Sequence, residues 1–401
     1  MSRYKTYYST EELDESQIVI GISALNEQNT ILNVVNTVQD GLMSYFPQYD
    51  STIVIAAGDP EDKTVEMASS VRLPDNIGMK IIDEDGEGKG EAIQALMQVS
   101  QELDANMLTL LDGDLISIKP IWLAHLIEPI RYGIADFVSP RYLRGKHDGG
   151  ITKMFSYPLI STLFGKEIRQ PIGGEMALDS EFVETCLEKD YIPGKFGIDT
   201  FLTFTALSEG FRIAQAPLGA RFHASTGEYE DPLALLGPMF SQVSGTTFRL
   251  IDENRDKIEM RCEREIYRNK FRKFDNYKGI FPTTPEVDTE LFWKKGEEIL
   301  SQNQDEMERY LGEKDWLNHF NKRKTLVSED WSEIVFRLLA GYLHDPDKCL
   351  EILRAFWYGR YASFIEETGS LTLQETEEKV YENFKQFWDN RDLLIEGLHG
   401  T

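Results

Sequence analysis

Met107-Leu108-Thr109-Leu110-Leu111-Asp112-Gly113-Asp114 is an apolar run that stops abruptly at two carboxylates separated by a glycine. Short, uncharged and bounded by polar residues, Met107–Leu111 reads as a buried strand. Alternation along an extended chain puts the side chains of Asp112 and Asp114 on one side of the strand end. Two hard oxygen donors there could serve one divalent cation. An acidic surface turn reads the same way in isolation, so the surrounding sequence decides.

Outward from this run, toward the N-terminus, strand-like and helix-like stretches alternate. Gln17–Ala24 is a β-branched run, and Asn29–Leu42 repeats apolar residues at helical spacing. Ser51–Ala57 is a second buried-type strand and Lys63–Val71 is helical. Met79–Glu84 is a shorter third strand, and Gly90–Leu103 is an amphipathic helix. This rhythm predicts an α/β fold, a parallel sheet with a ligand crevice at the carboxyl ends of its strands. Toward the C-terminus, Ala135–Tyr142 is another strand, and Ile151–Phe164 is an apolar helix kinked or broken near Pro158. Gln170–Leu178 reads as a turn leading into a short strand. Beyond Ser225 glycines thin out, and Asp288–Tyr310, Ser328–Tyr342, Cys349–Glu366 and Leu373–Leu394 read as helices with aromatic-rich faces. The expected division is an α/β domain over 1–225 and a mostly helical region over 226–401. The aromatics of the latter, Trp316, Trp331, Phe336, Trp357, Tyr358 and Phe387, are expected to supply core and a dimer surface.

A chain of 401 residues exceeds most single compact domains. Its net charge of −26 argues against nucleic-acid partners and against an anionic membrane surface. Any phosphorylated ligand must then be met by a divalent metal or by a few placed cations. No apolar run reaches the roughly 18 residues of a membrane span. The N-terminal sequence lacks the apolar stretch of a secretory signal, and Cys186, Cys262 and Cys349 form no CxxC pair. A reduced, cytoplasmic protein is expected.

Ala24-Leu25-Asn26-Glu27 closes the first strand. In an α/β crevice this position contacts the base or ribose of a nucleotide, although Asn26 could equally cap the following helix. Together with Gly88-Lys89-Gly90-Glu91-Ala92 and Asp112-Gly113-Asp114, it resembles the nucleotide-sugar glycosyltransferases of the glycosyltransferase-A (Rossmann-like) fold. Gln170-Pro171-Ile172-Gly173-Gly174-Glu175, Phe196-Gly197-Ile198-Asp199-Thr200 and Arg221-Phe222-His223 resemble a narrower group. These are the retaining enzymes mannosylglycerate synthase and glucosyl-3-phosphoglycerate synthase, and the motifs run in order through residues 17–225.

The resemblance implies a metal-dependent, retaining transfer of glucose or mannose. The donor would be a GDP- or UDP-linked sugar, the acceptor the 2-hydroxyl of 3-phospho-D-glycerate or D-glycerate, and the enzyme a homodimer. It makes Asp114 and His223 metal ligands, with Asp112 near the ribose or the metal's waters. Oxygen ligands plus one imidazole suit Mg²⁺ or Mn²⁺. The nucleotide sugar would meet Ala24, Leu25, Glu27, Gly58, Lys89, Asp112, Gly113, Gly173 and Gly174. Lys89 would offset diphosphate charge at a helix start, with glycines on both sides admitting the ligand closely. The consecutive glycines 173 and 174 likewise suggest backbone exposed to ligand. The Ile172 carbonyl would lie near the anomeric carbon, and Glu175 would hydrogen-bond donor-sugar hydroxyls. Retention would proceed by front-face attack, without the covalent carboxylate of the retaining glycosidases. Asp199 would contact the acceptor hydroxyl as base or orienter, or cap its helix. Gly149, Gly150, Thr152 and Arg144 would hold the acceptor, amid a basic cluster that also includes Arg141, Lys146, His147 and Lys153.

Two departures from the group's pattern stand out. The acceptor loop passes directly from Gly150 to Ile151, where the phosphoglycerate enzymes carry an arginine. The second strand ends Ile55-Ala56-Ala57-Gly58 without the aspartate that reads base or ribose, so Asp59 or Asp62 would have to substitute. Three rival readings fit less well. A polyprenyl-phosphate sugar transferase would carry a basic amphipathic or spanning anchor. A nucleotidyltransferase would carry a Gly-rich Arg/Lys signature near its start. A non-catalytic nucleotide-sugar-binding protein has no need of an open metal site.

Overall fold

A computed structural model describes residues 4–10, 15–84, 86, 88–224, 232–262, 287–312 and 316–399. Strands β1 (Tyr4–Ser9), β2 (Ile18–Ser23), β3 (Ser51–Ala56), β4 (Ile77–Glu84), β5 (Met107–Asp112), β6 (Phe137–Leu143), β7 (Met176–Asp179) and β8 (Ile213–Ala220) form one sheet. Their order is β1-β4-β3-β2-β5-β7-β6-β8. The four strands expected before residue 115 lie side by side and parallel. The sheet as a whole is mixed, because β1 and β7 run antiparallel to their neighbours. β1 escaped the sequence pattern because it is an edge strand of Tyr, Lys, Thr and Ser, largely exposed and without apolar alternation.

Helix α1 (Ile31–Tyr45) connects β2 to β3, and α2 (Thr64–Ser69) connects β3 to β4. Helix α3 (Lys89–Glu102) then carries the chain back across the sheet to β5. Right-handed crossovers place helices that step outward on one face and the returning helix on the other. Accordingly Ile18, Ile20 and Ile22 share a core with Val34, Val38 and Leu42 of α1 and Trp122, Leu123 and Leu126 of α4 (Ile121–Arg131). Gly21, pointing the opposite way, sits against Leu96 of α3. The strand order reverses between β2 and β5, whose last residues Ser23 and Asp112 are paired. Ligands of open α/β sheets bind outside the carboxyl ends of the strands at such a reversal.

By its contacts the chain divides into two compact units. One comprises Met1–Leu143, Ile172–Glu228 and Tyr277–Pro282, the other Arg144–Pro171, Tyr229–Asn276 and Thr283–Thr401. The segment 144–171 thus belongs with the helical unit, although it precedes residue 225. In that unit a π-helical turn, Thr152–Ser156, leads into the helix Tyr157–Phe164. The irregularity expected near Pro158 therefore falls just before it, since proline's missing N–H is harmless in the first helical turn. The helix Pro346–Thr368 is buried on every side from Ala355 to Ile365, as expected of a central core helix. Trp357 stacks on Phe240 and on Tyr361, with ring centroids 4.6 and 5.5 Å apart. Trp316, Trp331, Phe336, Tyr358 and Phe387 are buried as well. No helix among the described residues is long and apolar enough to cross a membrane.

Candidate active site

The carboxyl edge of the sheet at β2 and β5 gathers the acidic and basic residues of the first unit. β5 delivers Asp112, and Gly113 follows with its N–H donated to the Ser23 carbonyl at 2.8 Å. A side chain at Gly113 would meet Ala24, so glycine is required for the two loops to touch. Asp114 then pairs with His223, whose Nδ1 lies 3.2 Å from the carboxylate. Backbone geometry fixes this pair: Leu115 and His223 form an antiparallel bridge, and the Ala224 N–H donates to the Asp114 carbonyl at 3.0 Å.

Two ligands at right angles around an octahedral ion, each about 2.1 Å from it, stand about 3 Å apart. The separation of Asp114 and His223 fits that spacing, and one carboxylate with one imidazole suits Mg²⁺ or Mn²⁺. No cluster of three or more His, Cys, Asp or Glu side chains able to hold a metal occurs among the described residues. The remaining positions would fall to phosphate oxygens and water, the usual arrangement for Mg²⁺.

Asp112 sits between two cations of the protein. Its Oδ1 is 2.9 Å from Lys89 Nζ and its Oδ2 2.7 Å from an Arg221 nitrogen. Each of its oxygens thus faces a protein cation. Burial pushes its carboxyl up, but Lys89 and Arg221 outweigh this and leave it below the usual range. Lys89 also reaches Asp199 at 3.2 Å. Burial opposes the Lys89 charge, yet Asp112 and Asp199 keep the ammonium firmly protonated. Asp199 lies in the first turn of the helix Ile198–Glu209, whose N-cap is Gly197, so it is not the cap. Burial raises its carboxyl to about 6 despite Lys89.

Glu175 is fully buried and therefore not presented to a sugar. It accepts the Tyr142 hydroxyl, and Arg221 Nε lies 3.1 Å from its Oε1. A buried guanidinium needs such a counter-charge. The result is one alternating chain of charge: Glu175, Arg221, Asp112, Lys89, Asp199. Arg221 and Tyr142 were not assigned roles from sequence. The available signal was the position of Arg221 two residues before His223.

The glycine-rich motifs also read differently in three dimensions. A side chain at Gly90 would collide with the Pro193 carbonyl and one at Gly88 with the Gly194 carbonyl. The glycines flanking Lys89 thus admit the 193–195 loop, not a ligand. Gly173 and Gly174 are buried, filled by Pro140 with the Tyr142 hydroxyl and by the Asp112 carboxylate respectively. Ile172 beside them is partly exposed.

At the end of β2, Ala24 is buried and Leu25 is exposed. Asn26 takes a left-handed conformation and its Oδ1 accepts the Glu61 N–H at 2.9 Å, so Thr30, not Asn26, is the N-cap of α1. Glu27 accepts the Thr30 hydroxyl at 2.7 Å. Asp62 accepts the N–H groups of Gln28 and Thr64, which commits it to joining these loops. Gly58 donates its N–H to Glu84 Oε2 at 3.0 Å, a carboxylate the sequence reading left without a role.

The proposed acceptor residues belong to the second unit. Arg144 lies 3.8 Å from Asp148 and packs against Gly149, which has φ of +70°. Gly150 abuts the Tyr361 ring, and Thr152 is buried. Most of the surrounding basic cluster is committed to groups within the second unit. Lys146 Nζ donates to the carbonyls of Thr368, Gly369 and Leu371. Lys153, fully buried, donates to those of Gly145 and Lys146 at 2.8 Å each, and burial lowers its ammonium to about 8. His147 bonds to the Thr368 hydroxyl. Arg141 belongs to the first unit.

Known proteins resemble the chain in the same terms. The glucosyl-3-phosphoglycerate synthase of Petrotoga mobilis is 25% identical over 296 residues, 70% of this chain and 86% of that protein. Glycosyltransferase AglD of Haloferax volcanii is 23% identical over 208 residues, 50% of this chain and 32% of AglD. Among solved structures, glucosyl-3-phosphoglycerate synthase from Mycobacterium tuberculosis, in complex with Mn²⁺, UDP-glucose and glycerol 3-phosphate, is 24% identical. It aligns over 59% of this chain and 80% of its own with a TM-score of 0.46. The family described as mannosylglycerate synthase, GT domain, matches residues 34–245, which include Asp112, Asp114, Asp199 and His223. That match spans more than half of the chain and bears out the glycosyltransferase expectation and the mannosylglycerate synthase resemblance drawn from the motifs. This glycosyltransferase belongs to the mannosylglycerate synthase GT-domain family.

Proposed function

We propose that the chain transfers a glucosyl group from UDP-glucose to the 2-hydroxyl of 3-phospho-D-glycerate, with retention. The observation that carries this reading is the Asp114–His223 pair, 3.2 Å apart at the switch point of the sheet. The glucosyl and phosphoglycerate parts rest on the likeness to the Petrotoga enzyme. Asp114 and His223 would hold Mg²⁺ or Mn²⁺, which supplies charge stabilisation for a departing diphosphate. Lys89, held protonated by Asp112 and Asp199, adds a fixed cation beside the same edge. Asp199 orients the acceptor hydroxyl and takes its proton. The Ile172 carbonyl faces the anomeric carbon. For the acceptor anion, Arg144, Gly149, Gly150 and Thr152 are carried over from the motif resemblance alone.

The test is a product assay offering UDP-glucose, GDP-glucose and GDP-mannose against 3-phosphoglycerate and D-glycerate, with and without Mn²⁺. A Mn²⁺-dependent glucosyl-3-phosphoglycerate product is expected. Asp114→Ala should abolish that turnover, and near-normal activity in this variant would reject the site.

A further inference from the structure

The end of β3 lacks an acid, Asp59 beyond Gly58 is exposed, and Asp62 is spent on joining two loops. A carboxylate nevertheless arrives at that point from the neighbouring strand. The Ala57 N–H donates to the Ile82 carbonyl at 3.0 Å, which extends the pairing of β3 with β4 and brings Gly58 beside Glu84. Glu84 is only 8% exposed, and its Oε2 accepts the Gly58 N–H at 3.0 Å. Its own backbone N–H is the other donor set against this side chain among the described residues. A Cβ built on Gly58 would stand 3.3 Å from Leu25 Cδ1 and 3.6 Å from Glu84 Oε1. The second carboxylate oxygen and the exposed Leu25 side chain therefore flank the same spot on the ligand edge of the sheet. Three strand spacings of about 4.8 Å separate the ends of β4 and β5, about 14 Å in all. A nucleotide lying along this edge would have its base toward β4 and its diphosphate toward β5.

We infer that Glu84 selects the base of the donor, its Oε1 accepting a base N–H while Leu25 lies against the ring. The inference rests on the UDP-sugar reading and names the residue that reads its base. With Oε2 turned to the Gly58 N–H, Oε1 is the oxygen on the Leu25 side, which suits the lone N3–H of uracil. Guanine presents adjacent N1–H and N2–H donors that call for both oxygens.

Calorimetric titration of the full chain with UDP, CDP and GDP in the presence of Mn²⁺ tests this. Glu84→Gln keeps an oxygen for Gly58 and puts an NH₂ donor where Oε1 stood. UDP should bind at least tenfold more weakly to this variant. CDP, whose N3 is an acceptor, should gain at least tenfold relative to UDP. Glu84→Asp, which keeps the charge on a shorter arm, should weaken UDP and preserve the wild-type ranking. A Glu84→Gln protein that melts normally and keeps the wild-type UDP affinity and ranking overturns the inference. So does a wild-type preference for GDP, which would leave the transferase reading intact. Failure of wild type to bind any nucleoside diphosphate would remove both.

Discussion

Asp199 is the residue whose environment makes the sharpest demand on experiment. Burial raises its carboxyl from 3.8 to about 6, even with Lys89 at 3.2 Å. A base must be ionised to accept a proton, so kcat/KM should climb about tenfold per pH unit up to about 6 and level off above it. Asp199→Asn should lose that acidic limb along with roughly 10²–10⁴-fold of the rate. A limb centred near 4 in the wild type would show that the carboxylate is not buried during catalysis. The linkage has its own sign. A carboxyl raised in the folded state binds more protons folded than unfolded between about 4 and 6, so its contribution to stability falls as pH rises through that window. Glu175 stands in contrast: fully buried, it pairs with Arg221, which in turn pairs with Asp112.

Helix α3 shows how an element, and not a single side chain, carries part of the site. Its first residue is Lys89, and its N-terminus is seated against the loop Pro193-Gly194-Lys195, with the Glu91 N–H donating to the Gly194 carbonyl at 3.1 Å. Gly90→Ala would drive a methyl group into the Pro193 carbonyl. Overpacking of this kind costs about 1–3 kcal/mol. It should also shift Lys89 from Asp112 and Asp199, giving a folded protein whose kcat/KM falls at least tenfold. Unchanged kinetics in Gly90→Ala would mean the loop yields freely. The same element marks the limit of what was legible in sequence. Strand and helix alternation up to Asp112 was readable because buried parallel strands are continuous apolar runs, here Ser51–Ala56 and Met107–Leu111. Motif order pointed to the acids at the switch point. What the glycines touch was not readable, since Gly90, Gly173 and Gly174 meet groups brought from distant parts of the chain. Nor was the fate of Lys146 and Lys153. A basic cluster in sequence looks the same whether it awaits an anion or holds backbone carbonyls, as Lys146 and Lys153 do.

At the scale of the whole molecule the net charge of −26 is the dominant field, and it complicates any claim about a metal. Divalent cations gather around such a surface without a site, and like charges repel one another in the folded state. Raising ionic strength from about 0.01 M to 0.15 M shortens the Debye length from about 30 to about 8 Å. The melting temperature should therefore rise with NaCl alone, in wild type and in Asp114→Ala alike, because one acid in the 68 hardly alters the field. A specific site behaves otherwise. UDP with Mn²⁺, at about a hundredfold over its dissociation constant, adds about 2.7 kcal/mol to the folded state. This increment should persist at 0.15 M NaCl, require both components and vanish in Asp114→Ala. Wild type should show it and the variant should not, while their salt responses coincide. A Mn²⁺ increment that appears without nucleotide, fades with salt and survives the substitution would trace metal binding to the acidic surface rather than to Asp114 and His223.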